Sequence, residues 1–168
     1  MIASTYFNLG LTLFRQKKFE ESLVNFKRAV ELEPENPEYW DLVGNAYADL
    51  NLLEEAKEVL LKAIDIDDTY ALAHHDLGCV LSQMPGQKEE ALKSFHRATA
   101  LIPDDHHPYY GIACIYALQG KKDLALDFLE KTLEKGFRDW ADIDANTDLD
   151  SIRNDKRFKK IIKEYSRQ

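Results

Sequence analysis

Tyr6–Leu13 reads YFNLGLTL, Trp40–Tyr47 reads WDLVGNAY and His74–Leu81 reads HHDLGCVL, one eight-residue phrase returning every 34 residues. A fixed period of this length marks one supersecondary unit used repeatedly. Each phrase leads into a second block: EESLVNFKRAVELEP from Glu20, EEAKEVLLKAIDIDD from Glu54 and EEALKSFHRATALIP from Glu89. A fourth copy, YYGIACIYALQGKKDLALDFLEKTLEKG, runs from Tyr109 to Gly136 with Ala113 in the glycine slot. Within a copy, Tyr6, Leu9 and Leu13 share one helical stripe, and Leu23, Phe26 and Val30 share another. Each copy therefore predicts two amphipathic helices that bury their stripes only by stacking on the next copy. The small residues Gly10, Gly44, Gly78 and Ala113 predict a close crossing of the two helices, and Ala29, Ala63 and Ala98 a second one. Glu33-Pro34 and Ile102-Pro103 predict helix ends, because proline disfavours helical geometry in the residue before it.

The pattern resembles the tetratricopeptide repeat, whose signature runs W-x₂-L-G-x₂-Y, then A-x₃-F, then P. The first copy supplies Tyr6, Leu9, Gly10, Leu13, Ser22, Phe26, Ala29 and Pro34. The second supplies Trp40, Val43, Gly44, Tyr47, Ala56, Leu60 and Ala63, with Asp68 replacing the proline. The third supplies His74, Leu77, Gly78 and Leu81 and then, after one inserted residue near Pro85-Gly86, Ala91, Phe95, Ala98 and Pro103. The fourth supplies Tyr109, Ile112, Tyr116, Ala125 and Leu129. The resemblance implies an all-α fold, a right-handed α-solenoid of antiparallel helix pairs, with repeats at 3–36, 37–70, 71–105 and 106–136. Residues 137–168 then form a C-terminal helical cap. Phe137, Trp140, Ile143, Leu149, Ile152, Phe158, Ile161, Ile162 and Tyr165 are too many apolar residues for a free tail, and a solenoid needs an atypical last unit to cover its final repeat.

Composition bounds the class. The chain has 168 residues, 45% of them hydrophobic, and a formal charge of −8. No apolar run approaches the length of a membrane span and MIASTYFNLG lacks a secretory layout, so a cytoplasmic protein without membrane contact is expected. The charge opposes nucleic-acid binding by the whole molecule. It is unevenly spread: from Ser151 onward Arg153, Lys156, Arg157, Lys159, Lys160, Lys163 and Arg167 face only Asp155 and Glu164. The expected role of these cations is a solvated helix face on an acidic body.

Asp142, Asp144 and Asn146 match the first ligand slots of an EF-hand loop, but Thr147 stands where the turn needs glycine and Arg153 where the ion needs a bidentate glutamate. The acids are expected instead to start helices, Asp148 and Asp150 before one, Asn154 and Asp155 before the next. His75, Cys79, His107 and Cys114 can be drawn as a zinc set. Corresponding points on stacked repeats lie roughly 8–10 Å apart, whereas zinc ligands sit about 2.0–2.3 Å from the ion. No metal, no cofactor and no catalytic group is expected, and G-x-S-x-G, the P-loop, H-E-x-x-H and the dinucleotide glycine run are missing from the sequence. His74 is expected as a packed ring in the slot held elsewhere by Tyr6, Trp40 and Tyr109.

The resemblance also implies a surface. In this family the first helices of successive repeats line a groove that receives a peptide or protein segment. On the glycine phase the matching residues are Phe7, Asp41, His75 and Tyr110, then Leu11, Asn45, Cys79 and Cys114. Leu42 and Asp76 flank them, and Phe14 and Arg15 lie further along the first helix. Such a wall is apolar in the first copy, acidic in the middle and aromatic with sulfurs in the fourth, suiting a partner with apolar anchors and basic residues. Chaperone-binding members clamp a carboxylate with cations and amides. The matching positions here, Phe7, Leu11, Leu42, Leu72 and Asp76, hold no cation, so that ligand is not implied. The expected function is a protein-interaction scaffold or adaptor. The alternatives are a structural or self-assembling subunit joined through the uncapped first repeat, which would make a homo-oligomer, and an enzyme or metal protein.

Overall fold

In the computed structural model, residues 2–166 are described; Arg167, counted above among the basic residues, lies outside them. Eight helices of similar length alternate along the chain: α1 (Ile2–Arg15), α2 (Phe19–Leu32), α3 (Pro37–Asp49), α4 (Leu53–Ile66), α5 (Ala71–Gln83), α6 (Lys88–Leu101), α7 (His106–Leu118) and α8 (Lys122–Glu134). Short elements follow, α9 (Trp140–Ala145), a 3₁₀ turn at Thr147–Leu149, α10 (Asp150–Arg153) and α11 (Lys156–Tyr165). The chain divides into two compact units, residues 1–97 and 98–168.

In the first unit each glycine slot is a point where the helices of a pair touch. A Cβ built on Gly10 would stand 2.6 Å from the Phe26 ring, one on Gly44 2.6 Å from Leu60 Cγ, and one on Gly78 2.7 Å from the Phe95 ring. Phe26 and Leu60 are fully buried and Phe95 nearly so, so the partner side chain cannot swing away. The connection between the helices of a pair also repeats. Lys17 and Asn51 adopt positive φ, and the following amides close back on the helix, Lys18 N to Leu13 O and Leu52 N to Tyr47 O, at 3.0 and 2.9 Å. This left-handed stop satisfies carbonyls that a helix end leaves open. Gly86 takes that conformation after the inserted residue of the third copy, and Gly120 takes it in the second unit.

Three ring side chains that open the repeats perform one task. Trp40 Nε1 donates to Pro34 O, His74 Nε2 to Asp68 O and Tyr109 Oη to Pro103 O, each acceptor six residues upstream, at 2.7, 3.0 and 3.1 Å. His74 is therefore a buried, hydrogen-bonded core residue, as its slot suggested.

One stripe departs from expectation. Val43, Leu77 and Ile112 occupy the position before the glycine slot and are 2%, 6% and 0% exposed, whereas Leu9 in the same position is 48% exposed.

In the second unit the closing segment docks. Ile143, Leu149, Ile152, Phe158 and Ile161 join Leu126, Leu129, Leu133 and Phe137 in one buried cluster, with Trp140, Ile162 and Tyr165 packed against it. Ser151 Oγ donates to Ala117 O at 2.7 Å, and Arg157 bridges Asp127 and Glu130 of α8. Asp155 caps α11 as expected. The earlier caps differ: Asp139 caps α9 and Asn146 caps the 3₁₀ turn, while Asp148 and Asp150 sit inside first turns. Asn146 wins because it also reaches α7. Arg153, in the slot where calcium would need an anion, donates to Ile143 O and Asn146 O and holds the loop with its own cation.

Candidate functional site

The first helices of the first unit, α1, α3 and α5, carry most of the residues expected to face a partner. On α1 the wall is apolar and partly committed to the core. Phe7 packs against Phe26 and Tyr39 with ring centroids 6.4 and 4.9 Å apart, and Phe14 against Phe19 and Phe26. Leu11 and Leu42 are half-buried beside the same cluster, and Arg15 is exposed.

On α3 and α5 the expected residues form a hydrogen-bonded set. Asn45 Nδ2 donates to Asp76 Oδ2 at 2.7 Å, tying α3 to α5. His75 Nδ1 donates to Asp76 Oδ1, also at 2.7 Å, and His75 Nε2 lies 3.7 Å from Cys79 Sγ. The His75 ring rests against Phe95 at 5.7 Å. Asp41, expected to offer its charge to a partner, is only 2% exposed, and its Oδ1 has no hydrogen-bond partner. Burial, reinforced by the neighbouring Asp76 charge, pushes the Asp41 carboxyl up to about 8. Burial alone would lower His75, but its contacts with Asp76 and Cys79 outweigh it and raise the imidazole to about 10. Tyr70 is also raised, by burial and by Asp41, Glu38 and Asp76. At neutral pH a protonated Asp41 and a charged His75 beside Asp76 leave this centre closer to neutral than its carboxylates suggest.

The residues expected from the fourth copy meet a different fate. Tyr110 stacks on Phe137 at 4.8 Å and its hydroxyl accepts from Asn146 Nδ2 at 2.9 Å. Asn146 Nδ2 also lies 3.5 Å from Cys114 Sγ, and Cys114 is 8% exposed. The closing segment thus lies on the face of α7 that the glycine phase assigned to a partner.

Tetratricopeptide repeat profiles match residues 3–36 and 106–134, and a TPR repeat profile matches residues 44–84. The chain belongs to the tetratricopeptide repeat family. This TPR chain is 25% identical over 164 residues to the peroxisomal targeting signal receptor of Candida albicans, covering 94% of the chain and 26% of that receptor. The share is 12% for a TPR repeat-containing thioredoxin of Arabidopsis thaliana, so the chain spans about a quarter of one of these curated relatives and about an eighth of the other. Among solved structures, a MamA protein matches 99% of the chain and 93% of its own length at 26% identity and a TM-score of 0.75. The first TPR of Spaghetti (RPAP3), bound to the HSP90 peptide SRMEEVD, matches 68% of the chain and 90% of its own length at 22% identity and a TM-score of 0.65. The TPR solenoid fold of helix pairs is what the chain shares with these structures. No helix among the described residues is long and apolar enough to cross a membrane.

Proposed function

We propose that this chain is a protein-interaction scaffold that binds a peptide or protein segment along the first-helix face of its first three repeats, taken as 3–36, 37–70 and 71–105. The observation that carries the reading is the equivalence of Leu11, Asn45 and Cys79: one slot in three successive copies, half-buried each time, with three different chemistries. The glycine slot, held by a close helix crossing, stays small in each of the first three copies, whereas this slot, on the face that the family presents to partners, does not keep one chemistry. The segment that fits has apolar anchors for Leu11 and Phe14 and hydrogen-bond donors, basic ones included, opposite Asp76. The RPAP3 likeness supports a peptide-binding role through the fold alone. An acidic peptide such as SRMEEVD would find no cation at Phe7, Leu11, Leu42, Leu72 or Asp76.

The test is selection from a displayed peptide library against wild type and against Leu11→Glu and Asn45→Arg, each first shown to melt like wild type. Peptides that bind wild type and lose at least about tenfold, or 1.4 kcal/mol, on either variant uphold the reading. Peptides that bind all three equally sink it.

A second reading rests on Leu9 and Ile2, exposed at 48% and 67% on α1. That apolar edge would join a structural or self-assembling partner, another copy of the chain included. A mass that rises with concentration in light scattering, and falls back in Leu9→Lys, favours it.

A further inference from the structure

We propose that His75, Asp76 and Cys79 form a zinc site on the first-helix face of the third repeat. Positions i, i+1 and i+4 of α5 bring an imidazole, a carboxylate and a thiol to one side of the helix. Each offers a ligand atom, and the three lie within 4.8 Å of one another. With zinc–nitrogen and zinc–sulfur bonds near 2.0 and 2.3 Å, two ligands at a tetrahedral angle stand about 3.6 Å apart. Cys79 Sγ stands 3.7 Å from His75 Nε2 and 4.0 Å from Nδ1, so the thiol lies beside the ring, and a turn of the two side chains with the helix fixed brings a ring nitrogen and the sulfur onto one ion.

The groups around this pair fit a metal as well. In the metal-free chain Asp76 Oδ1 accepts from His75 Nδ1. Zinc binding displaces a proton from the imidazole and one from the thiol, and turning the ring toward the ion releases Asp76 to act as the third donor. Asn45 fixes that carboxylate from α3. Beside it lies Asp41, almost wholly buried, with an oxygen that nothing in the protein satisfies. Thiolate with imidazole selects zinc over magnesium or calcium, which take oxygen ligands. Three protein donors leave a fourth position to water, as in zinc sites that keep an exchangeable ligand. The site shares Asp76 and Cys79 with the proposed peptide face, although its metal titration needs no peptide, and it uses none of the fourth-copy residues in the set that the sequence suggested.

The experiment strips the full chain with chelator and titrates it with cobalt(II), followed by zinc. Wild type should bind one cobalt ion per chain, with a thiolate-to-cobalt charge-transfer band that zinc abolishes. Cys79→Ser should lose the band, His75→Gln should lose the ion, and Asp76→Asn should weaken binding by about 10–100-fold. Cys114→Ser should behave as wild type. Circular dichroism of the metal-free variants checks their folds, and Cys79→Ser, the mildest change, keeps the test decisive if His75→Gln does not fold. Absence of the band in wild type, or its survival in Cys79→Ser, overturns the proposal. A band lost in Cys114→Ser and kept in Cys79→Ser overturns it equally.

Discussion

Cys79 and Cys114 occupy the same slot, one repeat apart, and live in different surroundings. Cys79 is half-buried on the α5 face beside His75. Cys114 is buried under the closing segment and held by Asn146. The period that makes them equivalent fixes the helix face on which each lies. What covers that face is decided by contacts from outside the repeat. The comparison separates the skeleton of a repeat protein from its surface: the skeleton repeats, and access to it does not.

The strongest way to break the comparison is to thin the cover. Ile152 is fully buried in the cluster that docks the closing segment. Ile152→Ala should cost about 2–5 kcal/mol and bring the labelling rate of Cys114 by a thiol reagent toward that of Cys79. An unchanged Cys114 rate would mean that the cover is held elsewhere. On the other side, Gly44→Leu drives a side chain into Leu60 and should cost about 1–3 kcal/mol. A thermal melt identical to wild type would contradict the close crossing of α3 and α4.

A third probe is pH, with chelator present throughout. Asp41 and His75 both hold protons more tightly in the folded chain than their ordinary values allow. Each contribution is complete below the group's unfolded value and is lost as pH rises through the folded one, about 8 for Asp41 and about 10 for His75. Stability should therefore decline from pH 5 to pH 10. Asp41→Asn should flatten the part below pH 8; a slope unaltered in that variant would assign the titration to another group. The smallest expected effect belongs to Asn146→Ala, which removes a cap and the contact with Cys114. It should cost about 1 kcal/mol and quicken Cys114 labelling without approaching Ile152→Ala.

Much of this was legible in the sequence. Gly10, Gly44 and Gly78 announce the helix crossings because a period of 34 residues repeats a purely local steric demand. The apolar residues after Gly136 announce docking because they cannot remain in water. The sequence does not reveal where that segment lands, and so does not show that Cys114 is buried or that Tyr110 is half-buried and bonded to Asn146. Nor does it distinguish Asn146 from Asp148 as the cap, since the choice depends on a contact with Tyr110, 36 residues upstream. Asp41 reads as a surface acid because its neighbours Asp76 and His75 come from the next copy. The HDLGC run places His75, Asp76 and Cys79 on one helix, whereas the contact of Asp76 with Asn45 comes from the preceding copy, 31 residues away.

The ring at the start of the second, third and fourth repeats carries one more implication. An indole, an imidazole and a phenol each hand a hydrogen to the carbonyl six residues back. Shape, aromaticity and acidity all vary across these three, and the hydrogen does not. For anyone building new arrays from such units, the specification of that slot is a flat side chain with a donor at its far edge. A phenylalanine there would match Tyr109 in size and hydrophobicity yet leave a carbonyl unanswered at the joint between two repeats.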